Sequence, residues 1–257
     1  MKRLIFTLIL LAGYINIATA QVTIVVTYRG SGLSSQSWFT SGTNGPLREV
    51  EIKNHWNYDR YITSAAHTSN GWFIVMSKGV QWKNQSYKKT TQWPDAYVHE
   101  QKEEGYMITS LASSNSEWLV VTTQGTGYTD QQICAAPGSS LKEWISQWWN
   151  KDYYITSIAC QNSLWTVVMS YGSGIKYTDQ SYFTSSSTSD LEKKIKEKWD
   201  DGFRITALEY GDGVYMCIMS KYPGSSTDMQ SYNINTNFEK SLEKKTNENY
   251  LITYIGG

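Results

Sequence analysis

The dipeptide Ile-Thr recurs along the chain at nearly constant spacing, and this repeat constrains the fold more than any other feature. The spacings are 46, 47, 50 and 47 residues, with pairs beginning at Ile62, Ile108, Ile155, Ile205 and Ile252. Ten residues after each of the first four pairs, an aromatic residue opens an apolar run, at Trp72, Trp118, Trp165 and Tyr215. Self-similarity at such a period indicates copies of one supersecondary unit that pack against each other.

A glutamine follows each apolar run after a Gly- or Ser-rich turn and is the most regular polar feature of the repeat. The five glutamines are Gln36, Gln85, Gln131, Gln180 and Gln230. Two residues after each stands an aromatic or aliphatic residue, namely Trp38, Tyr87, Ile133, Tyr182 and Tyr232. In a strand, residues two apart point to the same face, so each glutamine shares a face with the apolar or aromatic residue that follows it by two positions.

The two ends of the chain complement each other. Residues 22–27 resemble the second strand of a unit and Gln36–Trp38 the third, whereas the first strand of that unit is missing at this end. A matching first strand, residues 251–255, stands at the other end of the chain. We therefore expect one domain over residues 21–257, closed into a ring whose first repeat is completed by strand 251–255, since an open solenoid needs polar capping repeats.

The periodicity within a unit predicts three strands followed by a helix. Apolar residues four apart, such as Leu141, Ile145 and Trp149, form one stripe on a helix. The strand that begins at Trp165 is apolar on both faces, which is typical of a strand between two layers. The fold class expected is β-rich α+β, a closed fivefold ring of strand-strand-strand-helix repeats resembling a propeller-like toroid. A closed β-barrel with outer helices is the alternative.

The beginning of the chain has the pattern of a secretory signal. Met1, Lys2 and Arg3 precede an apolar run, and Ala18-Thr19-Ala20 supplies a small-x-small cleavage site. We expect residues 1–20 to be a signal peptide cleaved after Ala20, which places the protein outside the cell or in a periplasm. No segment is long enough to predict a membrane span.

Charge and cysteine content narrow the function classes. Lys+Arg and Asp+Glu each total 23, so the net charge is zero, which argues against nucleic acid as the main partner. Eleven Trp and nineteen Tyr make the chain rich in aromatic residues, which build both cores and carbohydrate- or peptide-binding faces. Three cysteines, Cys134, Cys160 and Cys217, are too few for a disulfide scaffold and are expected to be buried free thiols.

The repeat also resembles a known family. The segments that carry the resemblance are Trp149–Ala159, Val167–Gly172 and Gly125–Gln131. They are similar to the C-terminal repeat domain of plant casein-kinase-I-like protein kinases, and to repeat regions of bacterial proteins, some of them joined to caspase-like peptidases. This domain of unknown function carries no kinase motif, so the resemblance implies an accessory or binding role.

Catalytic constellations are hard to assemble from these residues. The histidines, His55, His67 and His99, lie in three different repeats and in no recognised signature. The cysteines lie singly, so no zinc site or other cofactor is expected. Paired carboxylates are the most serious enzymatic option, since glycosidases need only two, and Asp130, Asp179 and Asp228 occupy similar places in three repeats. The simpler interpretation is that each aspartate ends a turn.

The glutamines and their partners have two interpretations. A side-chain amide could bond sugar hydroxyls while the nearby ring stacks, which makes Gln36, Trp38, Gln85, Tyr87, Gln131, Gln180, Tyr182, Gln230 and Tyr232 speculative ligand-binding residues. Alternatively, each amide ties the third strand to a neighbouring loop. We expect a secreted, non-catalytic binding module for an unknown glycan or protein. A carboxylate-dependent hydrolase and a structural envelope or matrix protein are the alternatives.

Overall fold

Short strands and helices alternate through residues 22–224, 229–235 and 238–257, the part of the chain described by a computed structural model. The described strands are β1 (Ile24–Tyr28), β2 (Ser35–Thr40), β3 (Tyr61–Thr68), β4 (Gly71–Lys78), β5 (Gln85–Thr90), β6 (Met107–Ser113), β7 (Trp118–Thr123), β8 (Tyr128–Ala136), β9 (Tyr154–Gln161), β10 (Leu164–Gly172), β11 (Asp179–Ser185), β12 (Arg204–Gly211), β13 (Val214–Lys221), β14 (Gln230–Ile234) and β15 (Leu251–Gly256). The described α-helices are α1 (Glu49–Trp56), α2 (Asp95–Glu103), α3 (Leu141–Trp149), α4 (Thr188–Asp200) and α5 (Phe238–Asn247). The predicted signal peptide, residues 1–20, lies outside this part.

The strands form five antiparallel sheets of three strands each. Their orders are β14-β1-β15 (sheet 1), β2-β4-β3 (sheet 2), β5-β7-β6 (sheet 3), β8-β10-β9 (sheet 4) and β11-β13-β12 (sheet 5). In each order we call the first strand outer, the second middle and the third inner. The alternative of one closed barrel is wrong for the described strands, because they divide into separate sheets.

The grouping of strands into sheets differs from the sequence expectation that β2 follows β1 in one unit. Strand β2 pairs instead with β4, where Ser37 lies opposite Met76. Both β2 and β3 are antiparallel to β4, so they are parallel to each other. Parallel strands need a crossover connection, which α1 supplies. Sheets 2 to 5 therefore each take their outer strand from before a helix and their inner and middle strands from after it.

Sheet 1 draws on both ends of the described chain. Its middle strand β1 pairs with β14 on one side, where Val25 lies opposite Asn233. On the other side β1 pairs with β15, where Val25 lies opposite Ile255. Two strands from the far end of the chain, rather than the single one expected, thus complete the sheet around β1.

The middle strands are the most buried elements. Every residue of β4 except Lys78 is buried, and all six residues of β7 are buried. Trp72, Trp118 and Trp165 on these strands are buried, as expected. The helix stripes supply one covering layer, since Leu141 and Ile145 of α3 are buried in the same cluster as Trp165.

Two expectations about burial need correction. Trp149 and Trp199, at the ends of the helix stripes, are only half-buried, because each packs at the edge of the core against an aromatic ring of the next outer strand. All three cysteines are free, but only Cys217 is buried, whereas Cys134 and Cys160 are partly exposed.

The inner strands pack side by side and position the candidate site. Contacts join β3 to β6, β6 to β9, β9 to β12, β12 to β15, and β15 to β3. The helices lie in the crossovers that lead from each outer strand to its inner strand. Within the described residues, none of the helices has the length and apolarity that a membrane crossing requires.

Candidate binding cavity

Each inner strand carries a β-bulge at the threonine of its Ile-Thr pair. The register between β3 and β4 shifts between Ile62 and Ser64, so Thr63 has no partner in the ladder. Equivalent shifts occur in the other four sheets, at Thr109, Thr156, Thr206 and Thr253. A bulge bends its strand and redirects the extra side chain. The recurring Ile-Thr pair is therefore the sequence mark of a bulge.

The five glutamines clamp these bulges from the neighbouring sheet. Gln131 of β8 donates from Nε2 to the Ile108 carbonyl, and its Oε1 accepts from the Ile108 amide, both at 2.7 Å. The same pair of bonds, at 2.7–2.9 Å, joins Gln36 to Ile252, Gln85 to Ile62, Gln180 to Ile155 and Gln230 to Ile205. Each amide exchanges both bonds with one residue, as a hydrogen-bonded pair does in an antiparallel ladder.

Further bonds saturate these amides. Nε2 of Gln131 also donates to Ser170 Oγ at 2.9 Å, and Nε2 of Gln180 to Ser220 Oγ at 3.0 Å. Trp149 Nε1 donates to Gln180 Oε1 at 3.1 Å. An amide has two donors and one acceptor oxygen with two lone pairs. The amide of Gln180 is therefore fully engaged within the protein, as an internal tie to a strand rather than to a loop.

The aromatic partners of the glutamines pack against helices. Tyr87 lies against Trp56, and Tyr182 against Trp149, with ring centroids 5.9 and 5.8 Å apart. Tyr232 lies 5.7 Å from Trp199. Trp38 contacts Phe73 and Phe238 and keeps 38% of its surface exposed. The four predicted glutamine-aromatic pairs thus lie in four separate contacts, each with a glutamine tied to the neighbouring sheet and a ring packed against a helix.

Serine hydroxyls make a second set of links between inner strands. Ser110 Oγ accepts from the Ala65 amide at 3.1 Å, and Ser157 Oγ accepts from the Leu111 amide at 2.9 Å. Ser64 Oγ accepts from the Ile255 amide at 2.9 Å, which joins β3 to β15. An inner strand is the edge of its own sheet, so these links occupy backbone groups that would otherwise be open to another chain.

One cavity lies where the inner strands meet, and every sheet contributes to its wall. Its volume is about 400 Å³, within the range of about 300–1,000 Å³ usual for ligand pockets. All five bulge threonines line it: Thr63, Thr109, Thr156, Thr206 and Thr253. Of the described residues in its wall, Arg204 is the one with a charged side chain, and its Nη1 donates to the Phe203 carbonyl at 2.7 Å.

Five aromatic residues at the connections from a middle strand to the next outer strand also line the cavity, namely Tyr28, Trp82, Tyr128, Tyr177 and Tyr222. Tyr28 is the last residue of β1 and Tyr128 is the first residue of β8, whereas the other three lie in loops. These residues were not among the predicted site residues, although their spacing from the glutamines recurs. Trp82, Tyr128 and Tyr177 stand three residues before a clamping glutamine, and Tyr28 and Tyr222 stand eight residues before theirs.

The tyrosines of this set lie close together. The rings of Tyr177 and Tyr222 meet edge to face with centroids 5.2 Å apart. Burial raises the pKa of Tyr177, and burial together with the neighbouring tyrosines raises the pKa of Tyr222 well above its usual value. Burial likewise raises the pKa of Tyr128. These hydroxyls therefore stay protonated over the physiological pH range and remain able to donate hydrogen bonds.

The bulge threonines add hydroxyl groups beneath the aromatic set. Thr63 Oγ1 bonds to Ser77 Oγ at 2.7 Å, and Thr156 Oγ1 bonds to Ser170 Oγ at 2.6 Å. A hydroxyl offers one donor and two acceptor sites. Thr156 Oγ1 also donates to the Val168 carbonyl at 3.5 Å. These bonds still leave at least one acceptor site at each threonine for a ligand that enters the cavity.

The candidate carboxylates lie elsewhere. Asp130 accepts bonds from Lys102 Nζ and Tyr153 OH, each at 2.5 Å, and from Gln132 Nε2. Burial alone would raise the pKa of Asp130, but these three bonds lower it to about 2. Asp179 Oδ1 accepts from the backbone N–H of Gln180, as expected of a turn residue. Asp228 lies outside the described residues.

A family match accounts for the repeat. The family described as "Domain of unknown function (DUF7477)" matches residues 12–136 and again residues 125–257. The chain belongs to the DUF7477 family. Each match spans more than two of the Ile-Thr repeats, so a DUF7477 unit corresponds to about half of the five-sheet assembly.

The resemblance to plant kinases is also confirmed. A 92-residue segment of this DUF7477 chain is 32% identical to "Casein kinase 1-like protein HD16" from Oryza sativa subsp. japonica. That segment covers 35% of this chain and 13% of the kinase. The similarity therefore concerns a small part of the plant protein.

Proposed function

We propose that the five sheets close into a propeller-like ring, with the inner strands around the axis and the helices near the rim. The contact of β15 with both β12 and β3 supports closure, because it leaves no inner strand with a single neighbour. The Gln36 clamp on Ile252 and the Ser64 bond to the Ile255 amide support it at the same junction. In such a ring the cavity lies on the axis.

We propose that this protein is a secreted, non-catalytic binding module whose axial cavity takes a neutral carbohydrate. The observation that carries this proposal is the meeting of five aromatic residues and five threonine hydroxyls in one cavity. The signal-like pattern of residues 1–20 supports secretion. Carbohydrate, rather than protein, is the ligand class whose chemistry fits this wall best.

The chemistry of the wall suits a sugar because a sugar ring has apolar C–H faces and hydroxyl edges. Tyr and Trp offer an apolar ring face together with a polar group, so they can stack on the faces and bond the edges. The threonines add hydroxyls that both donate and accept. The wall therefore combines aromatic rings with many hydroxyl groups, and a sugar can contact both.

A hydrolase has weaker support. Glycosidases place two carboxyl groups about 5–10 Å apart across the scissile bond. The carboxylate of Asp130 is held by three side chains, and neither Asp130 nor Asp179 is among the described residues that line the cavity. We therefore propose binding without catalysis.

A glycan array probed with the purified chain tests the proposal. We expect a neutral glycan to bind, and Tyr177→Ala to weaken that binding at least tenfold, because it removes a stacking face and a hydroxyl from the cavity. Tyr58→Ala is the matched control, since Tyr58 is 63% exposed and lies outside the cavity. Binding to peptides but to no glycan would favour a protein ligand. Equal losses in both variants would place the site elsewhere on the surface.

A further inference from the structure

The repeats differ at one position that faces the cavity from the inner strands. The residue after each bulge threonine is small in four repeats, namely Ser64, Ser110, Ser157 and Ala207. In the fifth repeat this residue is Tyr254. Tyr254 lines the cavity together with the three serines. A ring axis surrounded by five such positions has room for one large side chain when the other four are small.

The Tyr254 side chain crosses the space between the inner strands. It starts on β15 and its hydroxyl lies 3.2 Å from Glu209 Oε2 on β12. The same hydroxyl lies 3.5 Å from the Ile158 carbonyl on β9, a strand that is not adjacent to β15 in the sequence of contacts. The ring also packs against buried residues of sheets 4 and 5.

Glu209 fixes this crossing side chain. Its Oε1 accepts from the Gly257 amide at 2.8 Å, while Oε2 accepts from Tyr254. The buried carboxyl thus ties the end of β15 and the tyrosine hydroxyl to one point on β12. Tyr254 is therefore held across the axis from both of its ends.

We infer that Tyr254 closes the floor of the axial cavity, so that the cavity receives the end of a carbohydrate chain, one chain per protein molecule. This inference rests on the proposed function and adds the mode of recognition to it. A chain segment far from either end would have to pass through the axis, and the tyrosine ring occupies that path. Because the cavity is blind, only a short terminal segment fits inside it.

Chain-end recognition can be tested with oligosaccharides that differ only in their ends. The probes are cello-, manno-, xylo- and chitohexaose, each free and with bulky groups on both terminal units, titrated into the wild-type protein by calorimetry. We expect at least one free hexasaccharide to bind with a stoichiometry of one, and its blocked form to bind at least tenfold more weakly. Equal affinity for free and blocked forms overturns chain-end recognition while leaving carbohydrate binding intact. No binding by any free or blocked probe overturns the proposed function together with this inference.

The role of Tyr254 is tested by chain length. In the wild type, affinity should stop rising once the chain exceeds the short segment that fits the cavity. Tyr254→Ser installs the residue of three other repeats and should let affinity keep rising with length. Tyr254→Phe keeps the ring across the axis and should keep the wild-type plateau. A plateau at the same length in Tyr254→Ser shows that another group closes the floor. If Tyr254→Ser does not fold, the comparison of free and blocked probes on the wild type still decides between the outcomes.

Discussion

The contacts between sheets and the wall of the cavity between the inner strands differ in how strictly their residues repeat. Between sheets, the same glutamine clamps the same bulge five times with nearly identical bond lengths. In the cavity wall, the position after the bulge holds serine in three repeats and tyrosine in one, and the aromatic residues stand three or eight residues before their glutamines. Residues that repeat in every unit therefore hold the scaffold together, whereas departures from the repeat shape the site.

This difference explains why the most regular polar residues are poor guides to ligand binding. A glutamine repeated five times meets a need that every unit shares, the pairing of an edge backbone next to a bulge. The cavity between the inner strands is shared by all five sheets, so the residues that each sheet contributes need not match. The experiments below test whether residues that recur in every repeat hold the sheets together.

Removing residues 251–257 should have the largest effect. The deletion takes away β15, leaves β1 with one partner and removes the Ile252 groups that Gln36 clamps. We expect loss of cooperative unfolding or insoluble protein, measured by calorimetry and soluble yield. Deleting Gly257 alone, which keeps β15, is the control and should fold. A truncated protein that melts at the wild-type temperature would mean that β15 is dispensable to the scaffold.

The next largest effect is expected from replacing a buried tryptophan, which should cost more stability than replacing a half-buried one. Trp165 is fully buried, so Trp165→Ala should cost about 3–5 kcal/mol of the free energy of unfolding. Trp149 is half-buried and bonds to Gln180, so Trp149→Ala should cost less, about 2–3 kcal/mol. Denaturant titration of both variants gives the comparison. A larger loss from Trp149→Ala would reverse the assigned order of burial.

Adjacent glutamines on β8 offer a matched pair. Gln131→Ala leaves the Ile108 amide and carbonyl without their partner and should cost about 1–3 kcal/mol. Gln132→Ala removes one bond to Asp130 near the surface and should cost less than about 1 kcal/mol. Urea unfolding measures both. If both variants lose similarly little free energy of unfolding, the Gln131 clamp does not stabilise the fold.

A change in the pH dependence of stability is the effect expected at Glu209. Burial raises its pKa to about 8, although bonds from the Gly257 amide and the Tyr254 hydroxyl act to lower it. The folded state thus holds the proton more tightly than the unfolded state, whose glutamate pKa is about 4.3. This contribution to stability is full below pH about 4 and is lost as the pH rises to about 8.

The pH dependence of the melting temperature tests this contribution of Glu209. The melting temperature of wild type should fall between pH 5 and pH 9 more steeply than that of Glu209→Gln, which has no carboxyl to ionise. Lys196→Gln is a control for charge alone, because Lys196 is an exposed residue paired with Asp200. Parallel pH profiles for wild type and Glu209→Gln would show that Glu209 keeps an ordinary pKa.

Much of the architecture could be predicted from the sequence because it depends on short-range patterns. The Ile-Thr pairs, the apolar middle strands and the helix stripes all reflect periods that a window of residues reveals. The glutamine tie was also foreseen as one of two interpretations, although its partner is a strand and not a loop. The burial of Trp149 and Trp199 was overestimated, since an apolar residue on a helix stripe looks the same whether it meets the core or the next outer strand.

The amino-acid sequence alone establishes that five similar units exist and which residues recur in them. It also shows that a strand matching the first unit stands at the far end of the chain. The pairing of β2 with β4 is seen only in the folded structure, because the sequence of a crossover does not indicate which strand will lie between the two parallel strands that it joins. The folded structure also decided that Tyr28, Trp82, Tyr128, Tyr177 and Tyr222 meet in one cavity. Residues so far apart in the chain come together only when the inner strands pack side by side, and that packing depends on long-range burial rather than on local pattern.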